Sequence, residues 1–158
     1  MGIGNSLSRL LIATGILISL GVVDLQAEPK SDIEAISAAN LAFDHALSSR
    51  DINAMEKVWA TEPYVIAIHP ASKAIIIGWE GVRKSWESTF DRFGEIAVSM
   101  KDPHIHVGQS MAWIIGVEAI DGKLVNGESV SFSAFTTNVY EKHGGSWLMV
   151  SHITSRVP

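Results

Sequence analysis

The stretch IIIGWEGVRKSWESTF, residues 75–90, changes its hydrophobic periodicity at Gly78. Before the glycine, apolar β-branched residues run consecutively, as in a short strand, and a similar run covers Tyr64 to His69. After it, Val82, Trp86 and Phe90 recur at helical spacing. The pattern therefore predicts a strand pair, Tyr64–His69 and Ala74–Trp79, linked by Pro70-Ala71-Ser72, followed by a helix from Trp79 to Phe93.

Two helices are predicted upstream of this stretch. Ser31 and Glu34 have the spacing of a capping box, and apolar positions at helical intervals extend the first helix over about 32–49. These positions are Ile33, Ile36, Phe43 and Leu47. Asp51 has the character of a second N-cap, which opens a short helix to about Trp59 before Pro63.

Four long strands are predicted downstream. They cover Ile96–Val107, Met111–Ile120, Glu128–Tyr140 and Trp147–Val157, with turn signals at Gly108-Gln109, Asp121-Gly122 and Gly144-Gly145. Strands joined in succession by short turns favour an antiparallel meander. The predicted fold class is α+β: three N-terminal helices packed on a strongly curved, mainly antiparallel six-stranded sheet, a cone-shaped roll with a pocket at one end.

The N-terminal residues have the pattern of a secretory signal peptide. A polar segment with one base, Arg9, precedes the uncharged run Leu10–Val23, and a small residue, Ala27, follows at the expected cleavage point. The sequence thus predicts a signal peptide at 1–27 and a single domain at 28–158, exported to a bacterial periplasm or secreted. The alternative is an uncleaved membrane anchor, although the run is shorter than the roughly 20 residues that span a bilayer.

Composition excludes several classes of function. The chain of 158 residues carries a net charge of −5 and no basic run, so nucleic acid is not an expected partner. It has no cysteine, which excludes disulfides, thiolate nucleophiles and Cys-based zinc sites. His104 and His106 have the spacing of two metal ligands on a strand, but no third ligand accompanies them, so we predict a solvent-facing pair and no metal. No cofactor is predicted.

The order of helices and strands resembles the nuclear-transport-factor-2-like superfamily, and within it the SnoaL-like branch (the ketosteroid-isomerase-type fold). Three stretches carry the resemblance, which covers nearly all of 31–158: AFDHALSSRDINAMEKVW (42–59), IIIGWEGVRKSWESTF (75–90) and GGSWLMVSHITSRVP (144–158). This fold hosts isomerases, cyclases, hydrolases, dehydratases and non-catalytic assembly domains, so the resemblance implies the fold more than an activity. The tyrosine and protonated aspartate of ketosteroid isomerases have no evident counterparts here.

Three residues are candidates for catalysis. Asp44 shares a helical stripe with Ile33, Ile36, Asn40 and Leu47, and this stripe should face the pocket or core. A buried carboxylate there would have a raised pKa and could act as a general base. His69 ends a predicted strand and could assist at a pocket mouth. By resemblance the Trp147 face of the last strand would point inward, which would place His152 outside; with the faces reversed, His152 would enter the pocket.

The pocket itself is expected to bind a ligand through aromatic and polar side chains. The candidate ligand-binding residues are Asn40, Tyr64, Trp86, Trp113, Phe132, Thr136 and Asn138. They favour an exported pocket protein, a homodimer through its outer sheet face, that holds a small apolar or aromatic molecule. The alternatives are a cofactor-independent isomerase, dehydratase or hydrolase with Asp44 as base, and an accessory subunit of an envelope complex. A membrane partner is expected only if the N-terminal segment is uncleaved.

Overall fold

The computed structural model describes Met1 and residues 31–158. The predicted signal peptide therefore lies, apart from Met1, outside the described residues. Three helices and six strands follow one another in the order predicted. They are α1 (Asp32–Ser49), α2 (Ile52–Val58), β1 (Ile66–Ile68), β2 (Ile76–Ile77), α3 (Trp79–Arg92), β3 (Phe93–Val107), β4 (Met111–Leu124), β5 (Ser129–His143) and β6 (Ser146–Arg156).

The helix starts are those that the local sequence predicts. The Ser31 hydroxyl accepts from the Glu34 backbone N–H at 3.3 Å, and the Glu34 carboxylate accepts from the Ser31 N–H at 3.0 Å, which completes the capping box. Asp51 caps α2 by accepting from two backbone N–H groups. One expectation is wrong: Ile33, in the first turn of α1, is 58% exposed, because the buried stripe begins only at Ile36.

The strands form one mixed sheet in the order β2-β1-β6-β5-β4-β3. The last four strands are an antiparallel meander, as predicted, and β1 pairs parallel to β6, with Ile66 opposite Ser151. The first strand pair is shorter than predicted, because Tyr64 lies in a turn and only two residues of β1 pair with β2. The sheet is therefore an open, α+β arrangement of the predicted class.

Gly122 does not end a strand, contrary to the prediction of a turn at Asp121-Gly122. It lies within β4, opposite Ile96 of β3, at a close approach where a Cβ atom would be 2.7 Å from the Glu95 carbonyl oxygen. The glycine reflects this close approach rather than a turn. The turn follows Leu124 and uses Gly127 at φ +91°.

The helices cover one face of the sheet, and α1 packs against both β3 and β6. The fully buried side chains between the two layers include Ile36, Phe43, Trp59, Tyr140 and Met149. Because the sheet does not close on itself, space remains between α3 and the inner face of the meander. Within the described part of the chain, no helix combines the length and apolarity needed to cross a membrane.

Candidate functional site

The larger cavity lies between α3, the loop after β1 and the inner faces of β3 to β6, and has a volume of about 350 Å³. Its walls are largely apolar and include Trp86, Val98, Ile120 and Phe132. The polar side chains in its lining fall into two groups. His69, Thr89, Glu118, His152 and Thr154 are buried or half-buried, whereas Arg92, Glu128 and Arg156 are exposed. A small molecule in this cavity would contact mostly apolar side chains and a few polar groups that point inward.

A β-bulge in β6 brings His152 into this cavity. Met149 pairs with Tyr140 and Ser151 with Val139, so Val150 is an extra residue without its own partner. The extra residue changes the alternation of β6, and both Trp147 before the bulge and His152 after it are buried. The expectation that an inward Trp147 would place His152 outside is therefore wrong, because it assumed strict alternation along the strand.

His152 is held by a buried chain of hydrogen bonds. Its Nδ1 lies 2.8 Å from Asn138 Oδ1, and Asn138 Nδ2 donates to Asn40 Oδ1 at 2.8 Å. The Tyr140 hydroxyl donates to the same Asn40 oxygen at 3.0 Å. Burial, together with the nearby His69, lowers the pKa of His152 far below its usual value, so its imidazole is neutral at neutral pH.

His69 lies in the same cavity, as the sequence suggested. Its ring centroid is 4.4 Å from that of Trp86 and 6.1 Å from that of His152. His69 Nε2 lies 2.9 Å from the Ser85 hydroxyl oxygen. Burial lowers the pKa of His69 to about 4, so this imidazole is also neutral at neutral pH.

Glu118 is the buried carboxyl group of the larger cavity, and sequence reasoning missed it. It is 3% exposed, and its Oε1 has no hydrogen-bonding partner among residues 31–158. Burial, and secondarily the charge of Asp44, raise the pKa of Glu118 to about 7, although Thr136 offsets part of the rise. The signal was present in the sequence: Glu118 alternates with the inward positions Ala112, Ile114 and Ile120 of β4, where an acid is out of place.

Asp44 is buried, as predicted, but it lines a different cavity from His69 and His152. This smaller cavity, of about 190 Å³, lies between α1 and β3, and Asn40, Asp44, Met100 and Ile105 contribute to its lining. Burial raises the pKa of Asp44 to about 6, and a 3.4 Å hydrogen bond from the Met100 N–H opposes the rise. Within the described part of the chain, Asp44 Oδ1 has no hydrogen-bonding partner.

The predicted ligand-binding residues divide into three groups. Trp86 and Phe132 line the larger cavity. Asn40 lines the smaller one. Thr136 and Asn138 are buried on the inward face of β5, outside the lining of either cavity.

Tyr64 and Trp113 lie outside both cavities, contrary to expectation. Tyr64 is half-exposed in the turn before β1 and donates a 2.6 Å hydrogen bond to Glu141. Trp113 points to the outer face of the sheet, because its neighbours Ala112 and Ile114 take the inner face, and it stacks on His106.

The His104 and His106 pair is exposed, as predicted. Among the residues that the structure describes, no three histidine or acidic side chains are grouped in a way that could hold a metal ion. The larger cavity itself offers two neutral imidazoles, those of His69 and His152, and the buried carboxyl group of Glu118.

Comparison with known proteins agrees with this fold. The SnoaL-like domain matches residues 36–158. The chain belongs to the SnoaL-like domain family. A curated relative, the F-box protein SKIP8 of Arabidopsis thaliana, is 30% identical over 121 residues, which are 77% of this chain and 49% of that protein. The chain thus spans about half the length of this relative.

Two solved structures show the same fold. A candidate dehydratase of the NTF2-like family from Streptomyces avermitilis is 23% identical, with a TM-score of 0.72 over 80% of this chain and 96% of that one. The CamKII hub homology domain of Chlamydomonas reinhardtii is 22% identical, with a TM-score of 0.65 over 81% of this chain and 100% of that one. At these identities the likeness concerns the fold and leaves the activity open.

Proposed function

We propose that this protein binds a small, largely apolar or aromatic molecule in the larger cavity. The observation that carries the proposal is the cavity itself: about 350 Å³, walled by Trp86 and Phe132, with His69, His152 and Glu118 in its lining. Sites for small molecules have this composition, mostly apolar with a few polar groups that orient the ligand. Exposed arginines and a glutamate complete the lining.

A pair of variants in one loop tests this proposal. Ala71 lines the larger cavity and is exposed, whereas Ala74, three residues further on, is exposed but does not line it. We expect Ala71→Trp to abolish binding of the probes p-xylene and p-cresol in calorimetric titrations, while Ala74→Trp binds them as the wild type does. If neither probe binds the wild type, or if both variants bind equally, this site assignment is wrong.

The second candidate function is proton transfer within the same cavity. Glu118 has a pKa of about 7 and shares the cavity with two neutral imidazoles, so it could give or take a proton near neutral pH. An isomerase or dehydratase of this kind would use Glu118 as the base in place of Asp44, while His152 would assist, as the sequence suggested. The Streptomyces relative, a candidate dehydratase, is similar in fold.

Exchange of carbon-bound hydrogen tests this candidate. In deuterated water, we expect the wild type to accelerate deuterium uptake at the acidic carbon of 2-indanone, an enolisable ketone that NMR can follow. Glu118→Gln should lose most of this acceleration, and Asp44→Asn should retain more of it. Equal rates for all three proteins and the buffer would exclude proton transfer on this probe.

We further propose that the chain is exported and forms a homodimer. Export is supported by the n-, h- and c-region pattern of residues 1–27 and is tested by the mass of the N-terminus after expression in a bacterium; a chain still starting at Met1 or Gly2 contradicts it. Dimerisation is supported by apolar side chains exposed on the outer sheet face: Trp113, Ile115, Phe135 and Ile153.

A further inference from the structure

His69 and His152, in the larger cavity, each form a hydrogen bond through one ring nitrogen. Whether the partner atom donates or accepts determines which ring nitrogen carries the hydrogen of the neutral imidazole. Ser85 donates its hydroxyl hydrogen to the Val82 carbonyl oxygen at 2.6 Å. A hydroxyl has one hydrogen, so Ser85 Oγ can only accept from His69 Nε2, 2.9 Å away. His69 therefore carries its hydrogen on Nε2, and its Nδ1 holds a lone pair.

The same reasoning applies to His152. Asn138 Nδ2 and the Tyr140 hydroxyl both donate to Asn40 Oδ1. With its amide nitrogen turned to Asn40, Asn138 presents its carbonyl oxygen to His152, and an oxygen can only accept. His152 Nδ1 therefore carries the hydrogen, and its Nε2 holds the lone pair.

The direction of this chain of hydrogen bonds has a physical reason. Asn40 Oδ1 accepts both hydrogen bonds, so the Asn40 NH₂ group remains as a donor. We place this donor toward the smaller cavity, which Asn40 and Asp44 both line. Reversing every amide in this hydrogen-bond chain would place the Asn40 carbonyl oxygen there, in the same cavity as Asp44, whose Oδ1 has no partner among the described residues. Two acceptors without a donor are unfavourable in a buried space.

Both free ring nitrogens are left for a ligand. His69 and His152 both line the larger cavity. Among residues 31–158, His69 is bonded only through Nε2 and His152 only through Nδ1. Because burial lowers both pKa values, the rings stay neutral and the lone pairs persist at neutral pH. Glu118 also lines this cavity, but its Oε1 is sealed from solvent and is not counted among these acceptors.

We infer that the larger cavity selects neutral ligands that carry an O–H or N–H donor, such as phenols, over analogues in which the donor is methylated, and that Asn138 and Ser85 are positioning residues that set this preference. This rests on the proposed binding function. A ligand with an O–H or N–H group can donate a hydrogen bond to one of these histidine nitrogens. A methyl ether or an anion has only acceptors and leaves the nitrogen lone pair without a partner. The apolar ring of such a ligand would pack between Trp86 and Phe132.

Two measurements on the wild type test the inference. In calorimetric titrations at pH 7.5, p-cresol should bind about tenfold more tightly than its methyl ether, 4-methylanisole, since one satisfied hydrogen bond contributes on the order of 1 kcal/mol. Nitrogen-15 NMR of labelled histidines should show hydrogen on Nδ1 of His152 and on Nε2 of His69. Equal or reversed affinities, or hydrogen on His152 Nε2, would overturn the inference.

These outcomes separate the inference from the proposed function. If p-cresol, p-xylene and 4-methylanisole all fail to bind, the binding function fails. Equal binding of p-cresol and its ether leaves the binding function intact and removes only the donor preference. The NMR result stands in either case, because it needs no ligand.

Asn138→Leu tests the positioning role. Without the Asn138 oxygen, His152 can take either tautomer, so the ratio of p-cresol to 4-methylanisole affinity should fall at least threefold. A merely structural defect would weaken both ligands together and leave the ratio unchanged. Thr137→Val, on the opposite face of the same strand, should keep the wild-type ratio. If Asn138→Leu does not fold, Ser85→Ala gives the same readout for His69, and an unchanged ratio there overturns the role of Ser85.

Discussion

Glu118 is buried near the carboxyl group of Asp44, and both burial and this neighbour affect how the charge of Glu118 depends on pH. Its folded pKa of about 7 lies above its ordinary value of 4.5, so the folded chain binds more protons than the unfolded chain between these values. Stability conferred by the protonated form is therefore lost as pH rises through this window. Relative to Glu118→Gln, the wild type should lose up to ~3 kcal/mol of unfolding free energy as pH rises from 4.5 to about 7. Urea unfolding at several pH values measures this, and parallel profiles contradict it.

His69 behaves in the opposite way. Its folded pKa of about 4 lies below the ordinary 6.5, so the unfolded chain binds more protons between these values. Relative to His69→Gln, the wild type should lose up to ~3 kcal/mol as pH falls from 6.5 to 4. The same urea series measures it. A difference that stays constant over this window would show that His69 is solvated in the folded protein.

At the scale of single elements, Gly122 and Gly94 provide a matched pair in neighbouring strands. A Cβ at Gly122 would lie 2.7 Å from the Glu95 carbonyl oxygen, whereas one at Gly94 would make ordinary contacts no closer than 3.5 Å. We expect Gly122→Ala to lower the unfolding free energy by ~1–3 kcal/mol through overpacking, and Gly94→Ala to change it little. Thermal unfolding measures both. Equal effects would mean that β3 and β4 are not this close.

The elements also show what a sequence can reveal. Ser31 and Asp51 cap helices by accepting hydrogen bonds from backbone N–H groups within three residues, so their roles can be predicted from the local sequence. The inward turn of His152 depends on the bulge at Val150, which is set by pairing with a distant strand, and strict alternation gave the wrong face. Asp44 was correctly placed on a buried face, but only the packing of α1 against β3 decides which cavity it lines.

At the scale of the whole molecule, the outer sheet face tests the proposed dimer. Phe135 is 53% exposed there, whereas Val125, 70% exposed, lies in the β4–β5 turn. In sedimentation equilibrium we expect a wild-type dimer, a monomeric Phe135→Glu variant and a dimeric Val125→Glu variant, since a buried unpaired charge destabilises an apolar interface. A monomeric wild type, or a Phe135→Glu variant that remains dimeric, contradicts this interface.

The proposal that the larger cavity binds an aromatic molecule is tested most directly by locating such a molecule on the protein. Intermolecular nuclear Overhauser effects from p-cresol to the protein would locate it at the side chains that it contacts. If the larger cavity is the binding site, we expect effects to Trp86, Phe132 and Ile120, which line it. Effects confined to Trp113 or Phe135, on the outer sheet face, would contradict the assignment of the larger cavity as the binding site.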